Sequence, residues 1–156
     1  MAPAMVALGA AALIAGSGAR LEGGVGDVRV TPAGATGEPV VVRRAAGVVT
    51  VDLRPLRAGG EPISLEASVG RGNIHVAVPN DSAVVLDAHV GAGSVGAYGP
   101  DGSPVQGFDM HLRRTYGRFR RDRPAGVPVR VVADVGVGEI HINAGRDALS
   151  GFPEDP

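Results

Sequence analysis

The sequence predicts an all-β protein: a single β-solenoid-like domain of stacked short strands with Gly-x-Gly corners, preceded by a short apolar helix. Three observations predict this fold class. A Gly-x-Gly frame recurs along the chain, and apolar residues alternate with polar ones on either side of the frame. In addition, 25 glycines and 12 prolines among 156 residues leave little sequence able to hold a long helix.

The first element, residues 1–19, is an apolar leader and a candidate membrane helix. It carries no charge from Ala2 to Ala19, and these 18 positions would reach roughly 27 Å as a helix, close to the roughly 30 Å of a bilayer core. Alanine and glycine keep its hydrophobicity low, and it lacks the positive residues that open a secretory signal. A membrane span, a weak signal segment and a buried or disordered leader all stay open.

The repeat predicts that the domain proper spans residues 20–146. The second glycine of the frame stands at position 26, 72, 93 or 138, and a weaker copy, Ala45-Ala46-Gly47, keeps only that glycine, at position 47. The steps are therefore 21, 25, 21 and 45 residues. The last step is two periods, and a lone Gly117 stands where the missing frame would be. A fixed period of roughly 20 to 50 residues is typical of arrays whose units bury their apolar faces against their neighbours.

Alternation of side chains identifies the repeated unit. Residues 63–69 alternate apolar and polar side chains before the frame Gly70-Arg71-Gly72, and residues 74–78 do so after it. Period two with β-branched residues predicts strands with one buried face. Glycine at the corner permits positive φ and close approach of neighbouring backbones. Each unit is therefore strand, tight corner, strand and turn, and the regular step favours stacked rungs over a sandwich.

The sequence predicts no enzymatic activity and no cofactor. Residues 91–96 satisfy the dinucleotide pattern G-x-G-x-x-G, but Pro100 and further glycines forbid the helix that must open there. The polar residue after each frame (Asp27, Asn73, Ser94 or Glu139) lacks the nine-residue step of a calcium-binding β-roll. The chain contains no Cys, which excludes disulfides and thiol chemistry.

The histidines do not predict a metal site. His75 and His141 occupy the same slot of their repeats and alternate outward, so stacked rungs could in principle bring them near each other. His89 also lies on an outward position. Zinc would require a third and a fourth ligand, and no Asp/His cluster recurs with this pair. Solvated strand faces are the favoured interpretation.

One segment, residues 109–123, breaks the composition. It has a local charge of +4 whereas the remainder of the chain sums to −5, and four of the five aromatic residues lie in it or just before it. Clustered guanidiniums bind carboxylates or phosphates with forked geometry, and interleaved aromatics anchor interfaces. The candidate partner-binding residues are Arg113, Arg114, Tyr116, Arg118, Phe119, Arg120, Arg121 and Arg123. The alternative is a solvated, irregular rung in which Leu112, Tyr116 and Phe119 pack inward.

The stretches 64–81, 84–95 and 131–140 resemble the toast-rack domain, the LiaF-like C-terminal domain of bacterial envelope-stress proteins that is also found behind PspC membrane modules. The step Asp52-Leu53-Arg54-Pro55-Leu56 is similar to that family as well, and the resemblance covers most of residues 20–145. Residues 99–127 depart from it because they are longer and more basic. The resemblance implies a location at the cell membrane and no catalytic residues.

What the resemblance implies about function is a membrane-associated, non-enzymatic regulator or sensor of cell-envelope stress that acts through protein–protein interaction. The implied partner is a membrane protein such as a two-component sensor kinase or another envelope-stress protein. Anionic lipid and self-association are further candidates, whereas the near-zero net charge disfavours nucleic acid. The alternative function is a cell-surface structural or adhesin-like β-solenoid that self-associates. Residues 147–156 are predicted as a polar tail.

Overall fold

The structure, a computed structural model, is all-β and is built on one large sheet. It describes residues 10–12, 20–32, 38–56, 62–79, 82–98, 105–116, 119–120, 123–124 and 128–144. The strands are β1 (Ala10–Ala12), β2 (Arg20–Glu22), β3 (Val28–Val30), β4 (Val40–Asp52), β5 (Ile63–Val78), β6 (Ala83–Tyr98), β7 (Val105–Tyr116), β8 (Phe119–Arg120), β9 (Arg123–Pro124) and β10 (Pro128–Ala144). The predicted fold class of stacked strands with Gly-x-Gly corners is confirmed.

Eight of these strands form a single sheet in the order β1-β3-β4-β5-β10-β6-β7, with β2 paired to β4. All pairs from β1 to β6 are parallel, and β7 alone runs antiparallel, against β6. β2 and β3 lie on the first and second halves of β4, so these two short strands together make one further rung. β8 and β9 form a separate two-stranded sheet.

Each long strand bends at its Gly-x-Gly corner, and the bend turns both arms toward one core. In β5, Val69 is the last fully buried side chain before the corner and Ile74 is the first after it. Five positions separate them, so the alternation slips by one at the corner and both arms present apolar side chains inward. The inward residues of both arms belong to one hydrophobic cluster, built from Val, Ile, Leu and Ala.

The order of the rungs differs from their order along the chain. A stack in chain order would make β5 and β6 neighbours, whereas β10 lies between them and pairs with both over its whole length. The register aligns Gly138 with Gly72 on one side and with Gly93 on the other. The physical reason is that every rung carries the same corner and the same inward pattern, so the last rung fits between two earlier ones.

The segment that precedes Gly117 does not continue the parallel repeat. Residues 105–116 instead form β7, which runs antiparallel and has only one glycine at the corner, Gly107 opposite Gly93. The next described residues belong to the β8–β9 pair, and Gly117 itself lies outside the described residues. An antiparallel strand does not need the repeated glycine pair, which is why the frame fails here.

The corner glycines allow the rungs to approach. Gly72 and Gly138 have φ values of 139° and 146°, a region that side-chain-bearing residues rarely adopt. A Cβ added to Gly138 would overlap the carbonyl oxygen of Gly72, and a Cβ added to Gly72 would overlap that of Gly47. At these two positions the second glycine of the frame is therefore required both by its own backbone conformation and by the backbone of the adjacent rung.

The polar residue after the frame joins one rung to the next. The Asp27 Oδ1 atom accepts a hydrogen bond of 2.9 Å from the amide of Val48, and Asn73 Oδ1 accepts one of 3.2 Å from the amide of Glu139. These oxygens thus satisfy backbone amides of the adjacent rung at the bend.

The segment after β4 is fixed by an ion pair. The Asp52 carboxylate accepts hydrogen bonds from the Arg54 backbone amide (3.1 Å), Nε (2.8 Å) and Nη2 (2.7 Å), and these hydrogen bonds lower the pKa of Asp52. Leu53 and Leu56 on either side are buried in the core. The Asp-Leu-Arg-x-Leu step is therefore a turn that carries the chain off the sheet while anchoring it on two leucines.

The predicted leader is described only at Ala10–Ala12. These residues form β1, which pairs in parallel with β3 and extends the sheet at that end. The rest of residues 1–19, and with it most of the predicted helix, lies outside the described residues. In the part of the chain that is described, no helix has the length and apolarity needed to cross a bilayer.

The glycine packing makes a stability prediction. Gly138→Ala should lower the free energy of unfolding by about 3 kcal/mol or more, because the new Cβ overlaps the Gly72 carbonyl and forces two rungs apart. Gly26→Ala is the matched control: Gly26 has φ of 121° but no atom within 4 Å of an added Cβ, so only backbone strain of about 1–3 kcal/mol is expected. Urea unfolding of both variants tests this, and equal losses would contradict it.

Candidate partner-binding edge

The last strand of the sheet, β7, is held against β6 by ionic contacts on the outer face. Asp87 of β6 stands opposite Arg113 of β7 in the register. Its Oδ2 atom accepts hydrogen bonds from Arg113 Nε (3.1 Å) and Nη2 (2.8 Å), while its Oδ1 atom lies 2.5 Å from His111 Nε2. The hydrogen bonds from His111 and then Arg113 lower the pKa of Asp87. One carboxylate therefore receives two side chains of the edge strand.

A second ionic contact joins three strands around His89. Its Nδ1 atom lies 2.9 Å from Asp134 Oδ2 on β10, and its Nε2 atom lies 3.2 Å from Asp109 Oδ1 on β7. Both ring nitrogens face carboxylate oxygens, and only the imidazolium can donate to both. The hydrogen bonds to Asp109 and then Asp134 accordingly raise the pKa of His89. Asp109 has φ of 47°, so the strand is locally distorted where this carboxylate turns toward His89.

The inner face of β7 completes the core only in part. Met110 and Leu112 are partly buried and pack against the hydrophobic cluster. Arg114, next in that row, stands opposite the fully buried Leu86 and is exposed. At this edge a guanidinium thus takes the inward position that apolar side chains occupy in the neighbouring rungs.

The eight predicted partner-binding residues lie in different parts of the structure, and not all of them are described. Arg113 is bound to Asp87, and Arg114 is exposed with no ion pair to a described residue. Tyr116 ends β7, and three others lie in the β8–β9 pair, where only the backbone is described: Phe119, Arg120 and Arg123. Arg118 and Arg121 lie outside the described residues. Whether this set binds a partner stays a prediction. Leu112 packs inward as the alternative interpretation expected.

A further histidine pair lies on the outer face of the second arm. His75 and His141 are aligned in the register, and their rings stack with centroids 5.1 Å apart and planes 7° from parallel. His141 Nε2 lies 2.8 Å from the Glu139 carboxylate, and this hydrogen bond lowers the pKa of Glu139. Burial and then the nearby His141 lower the pKa of His75. The prediction that stacking brings the two rings together is confirmed.

The described residues contain no group of three or more His, Asp or Glu side chains arranged to hold a metal ion. The carboxylates beside His89 and His111 receive hydrogen bonds from those imidazoles. The chemistry of this face is therefore that of a network of ion pairs among β6, β7 and β10. It fixes the edge strand against the neighbouring strands.

The network around β7 was missed by reasoning from sequence. Asp134 and His89 each stand four positions before the second glycine of their frames. Their contact therefore follows from the repeat once β10 is known to adjoin β6. Asp109 had no such signal, because its strand runs antiparallel and lacks the repeated frame. Asp87 likewise meets Arg113 only through that pairing.

No protein-family model and no curated protein matches this sequence. Among solved structures, the chain is similar to "a putative cell adhesion protein" from Clostridium sporogenes ATCC 15579, with 20% sequence identity and a TM-score of 0.46. The similarity covers 78% of this chain and 56% of that one, so this chain spans little more than half the length of that protein. A likeness of this degree says nothing of function here, and the predicted toast-rack membership stays a prediction.

The His89 contacts predict a pH-dependent contribution to stability. The folded-state pKa of His89 is raised, so its contribution is fully present below the ordinary value of 6.5 and is lost as pH rises through the folded pKa. The difference in unfolding free energy between wild type and His89→Gln should therefore be larger at about pH 5.5 than at about pH 8.5. Urea unfolding at the two values measures it.

Asp109→Asn provides the matched control for this titration. Asparagine tolerates the positive φ of position 109, so the substitution removes charge and leaves the backbone conformation in place. In the His89→Gln background its effect on stability should largely disappear, as a double-mutant cycle requires of a coupled pair. A His89→Gln effect that is the same at both pH values, or additive with Asp109→Asn, would show that the contacts do not contribute.

Proposed function

We propose that this chain is a membrane-associated, non-enzymatic interaction domain that regulates the response to cell-envelope stress by binding another protein through the outer edge of β7. A two-component sensor kinase is the partner class that the family resemblance implies. The observation that carries the proposal is the open edge. β4, β5, β10 and β6 are each paired on both sides, whereas β7 pairs with β6 alone among the described strands.

An open sheet edge of this kind can bind a strand of another protein. Its unpaired amides and carbonyls accept a strand from a partner, and side chains next to the edge select which strand binds. The ionic contacts of Asp87 and His89 hold β7 in place, so the edge is presented on a fixed strand. The charged residues and the distortion at Asp109 also limit non-specific pairing, because such features protect natural sheet edges from aggregation.

Arg114 supports a partner that carries a carboxylate. It is exposed on the inner side of β7, where an added strand would cover it. A guanidinium covered in that way needs a hydrogen-bonded anion, for which a carboxylate offers matched forked geometry. Arg113, by contrast, is bound to Asp87 and contributes mainly to holding the edge.

Self-association is the second candidate, and it would correspond to a cell-surface structural or adhesin-like β-solenoid. The favouring observation is that β7 is self-complementary. Two copies paired antiparallel about His111 would place Arg113 opposite Asp109 and Leu112 opposite Met110 of the second copy. Opposite charges and apolar side chains then meet twice in a symmetric interface.

The test is charge reversal at the edge with a control in the middle of the sheet. Arg114→Glu should weaken partner binding at least about tenfold, because like charges then meet, and should shift an envelope-stress reporter toward the output of a strain lacking the chain. Arg130→Glu, an exposed arginine on the central strand β10, should leave the reporter unchanged. Thermal unfolding verifies that both variants fold.

The outcomes separate the two candidates. Unchanged signalling in a folded Arg114→Glu variant would contradict edge binding. Light scattering over a dilution series addresses self-association: a dimer in wild type supports the surface-protein alternative, and a monomer throughout contradicts it.

A further inference from the structure

The middle residues of the corners are aligned in one row across the sheet. The register aligns Val25 with Ala46, Ala46 with Arg71, Arg71 with Val137, Val137 with Ala92, and Ala92 with Phe108. Adjacent strands lie about 4.8 Å apart, so these six residues extend over roughly 24 Å. We call this row, defined by those six residues, the corner crest.

The crest is apolar and exposed. Four large hydrophobic side chains are exposed among the described residues, and three of them stand on the crest: Phe108 at 85%, Val25 at 79% and Val137 at 51%. The fourth, Val85 at 44%, lies on the outer face of β6. Contiguous exposed apolar surface marks an interaction site more often than isolated apolar residues do. The only charged residue of the crest is Arg71.

The crest projects because its flanks carry almost no side chains. Every crest residue has a glycine as a sequence neighbour, and at four of the six the other neighbour is glycine as well. The glycines are required for rung packing, as Gly72 and Gly138 show. The packing does not restrict the middle residue to glycine, because its side chain points away from the core. Apart from Phe108, four of the five crest residues are nevertheless Val or Ala.

The geometry points to a phospholipid bilayer surface as the occupant of the crest, and we infer that this chain docks on a membrane along the crest. A single row of exposed apolar side chains can contact a flat interface, whereas a protein would need a groove that matches the row. A second copy is disfavoured, because one row of six side chains, two of them alanine, covers well under the roughly 800 Å² per partner of a stable interface.

The side chains of the crest fit a lipid interface. Phe108 and the valines would enter the interface while the Arg71 stem lies among them and its guanidinium reaches the phosphates. Asp27, Glu139 and Asp109 lie beside the crest, so no excess of positive charge favours anionic lipid. Docking is therefore apolar and insensitive to salt.

This inference rests on the membrane association in the proposed function and names the surface that makes the contact. The chain contains no Trp, so a single introduced tryptophan reports its own surroundings. The full chain carrying Phe108→Trp is mixed with vesicles of phosphatidylcholine and phosphatidylethanolamine, with and without brominated phosphatidylcholine. Val85→Trp is the matched control, since it replaces an exposed valine away from the crest.

On the crest, the tryptophan of Phe108→Trp should shift its emission to the blue and lose about half its intensity to the brominated lipid, whereas that of Val85→Trp should change little. Val137→Ser should reduce the bound fraction at least about threefold, and raised salt should not. Flotation of the vesicles in a density gradient shows separately whether the protein binds them. Equal quenching at the two positions would overturn the inference. Binding to the vesicles without quenching at position 108 would also overturn it, but membrane association would still hold. Failure to float would count against membrane association itself. A blue shift that depends on protein concentration without lipid would assign the crest to a second copy and likewise overturn it.

Discussion

The backbone contact at the corner glycines is the constraint on which the rest of the molecule depends. The carbonyl of one rung occupies the space that a Cβ of the next rung would take, at Gly47, Gly72 and Gly138 in turn. Bare backbone at these points lets bent strands stack in register, and the register aligns the inward Val, Ile and Leu side chains into one core. The outer face follows from the same alignment: His75 stacks on His141 because their corners coincide.

The corners also determine which parts of the surface are available for interaction. Between the two glycines, one residue per rung points to solvent without a structural role, which produces the corner crest. Where the frame is lost, the chain forms the antiparallel strand β7, whose far edge no described strand covers. The repeat thus accounts for the apolar row, and its interruption accounts for the open edge. Membrane contact and partner binding are proposed for these two different surfaces of one sheet.

Much of this fold is predictable from the sequence, and the limits have physical causes. Alternation around Gly70-Arg71-Gly72 predicts the two arms of β5, and the shared slot predicts that His75 and His141 face the same way. Their contact also requires β10 to adjoin β5. The order of the rungs is not predictable in this way, because a periodic pattern specifies the repeated unit and not which unit lies next to it. β10, for example, pairs with both β5 and β6. The contacts of β7 depend on that order and on strand direction, so Asp109 and Asp134 could not be joined to His89 from sequence.

The position of β10 between β5 and β6 is the central claim, and cysteine cross-linking tests it directly because the chain has no cysteine of its own. Arg130 is aligned with Ser64 on one side and Val85 on the other, all three facing outward. Neighbouring Cα atoms about 4.8 Å apart can be bridged, whereas atoms two strands apart, at about 9.6 Å, cannot. Oxidation should therefore join Ser64→Cys to Arg130→Cys, and Val85→Cys to Arg130→Cys, but not Ser64→Cys to Val85→Cys. Efficient bridging of the Ser64→Cys/Val85→Cys pair, with none to Arg130→Cys from position 64, would show rungs stacked in chain order and contradict the account.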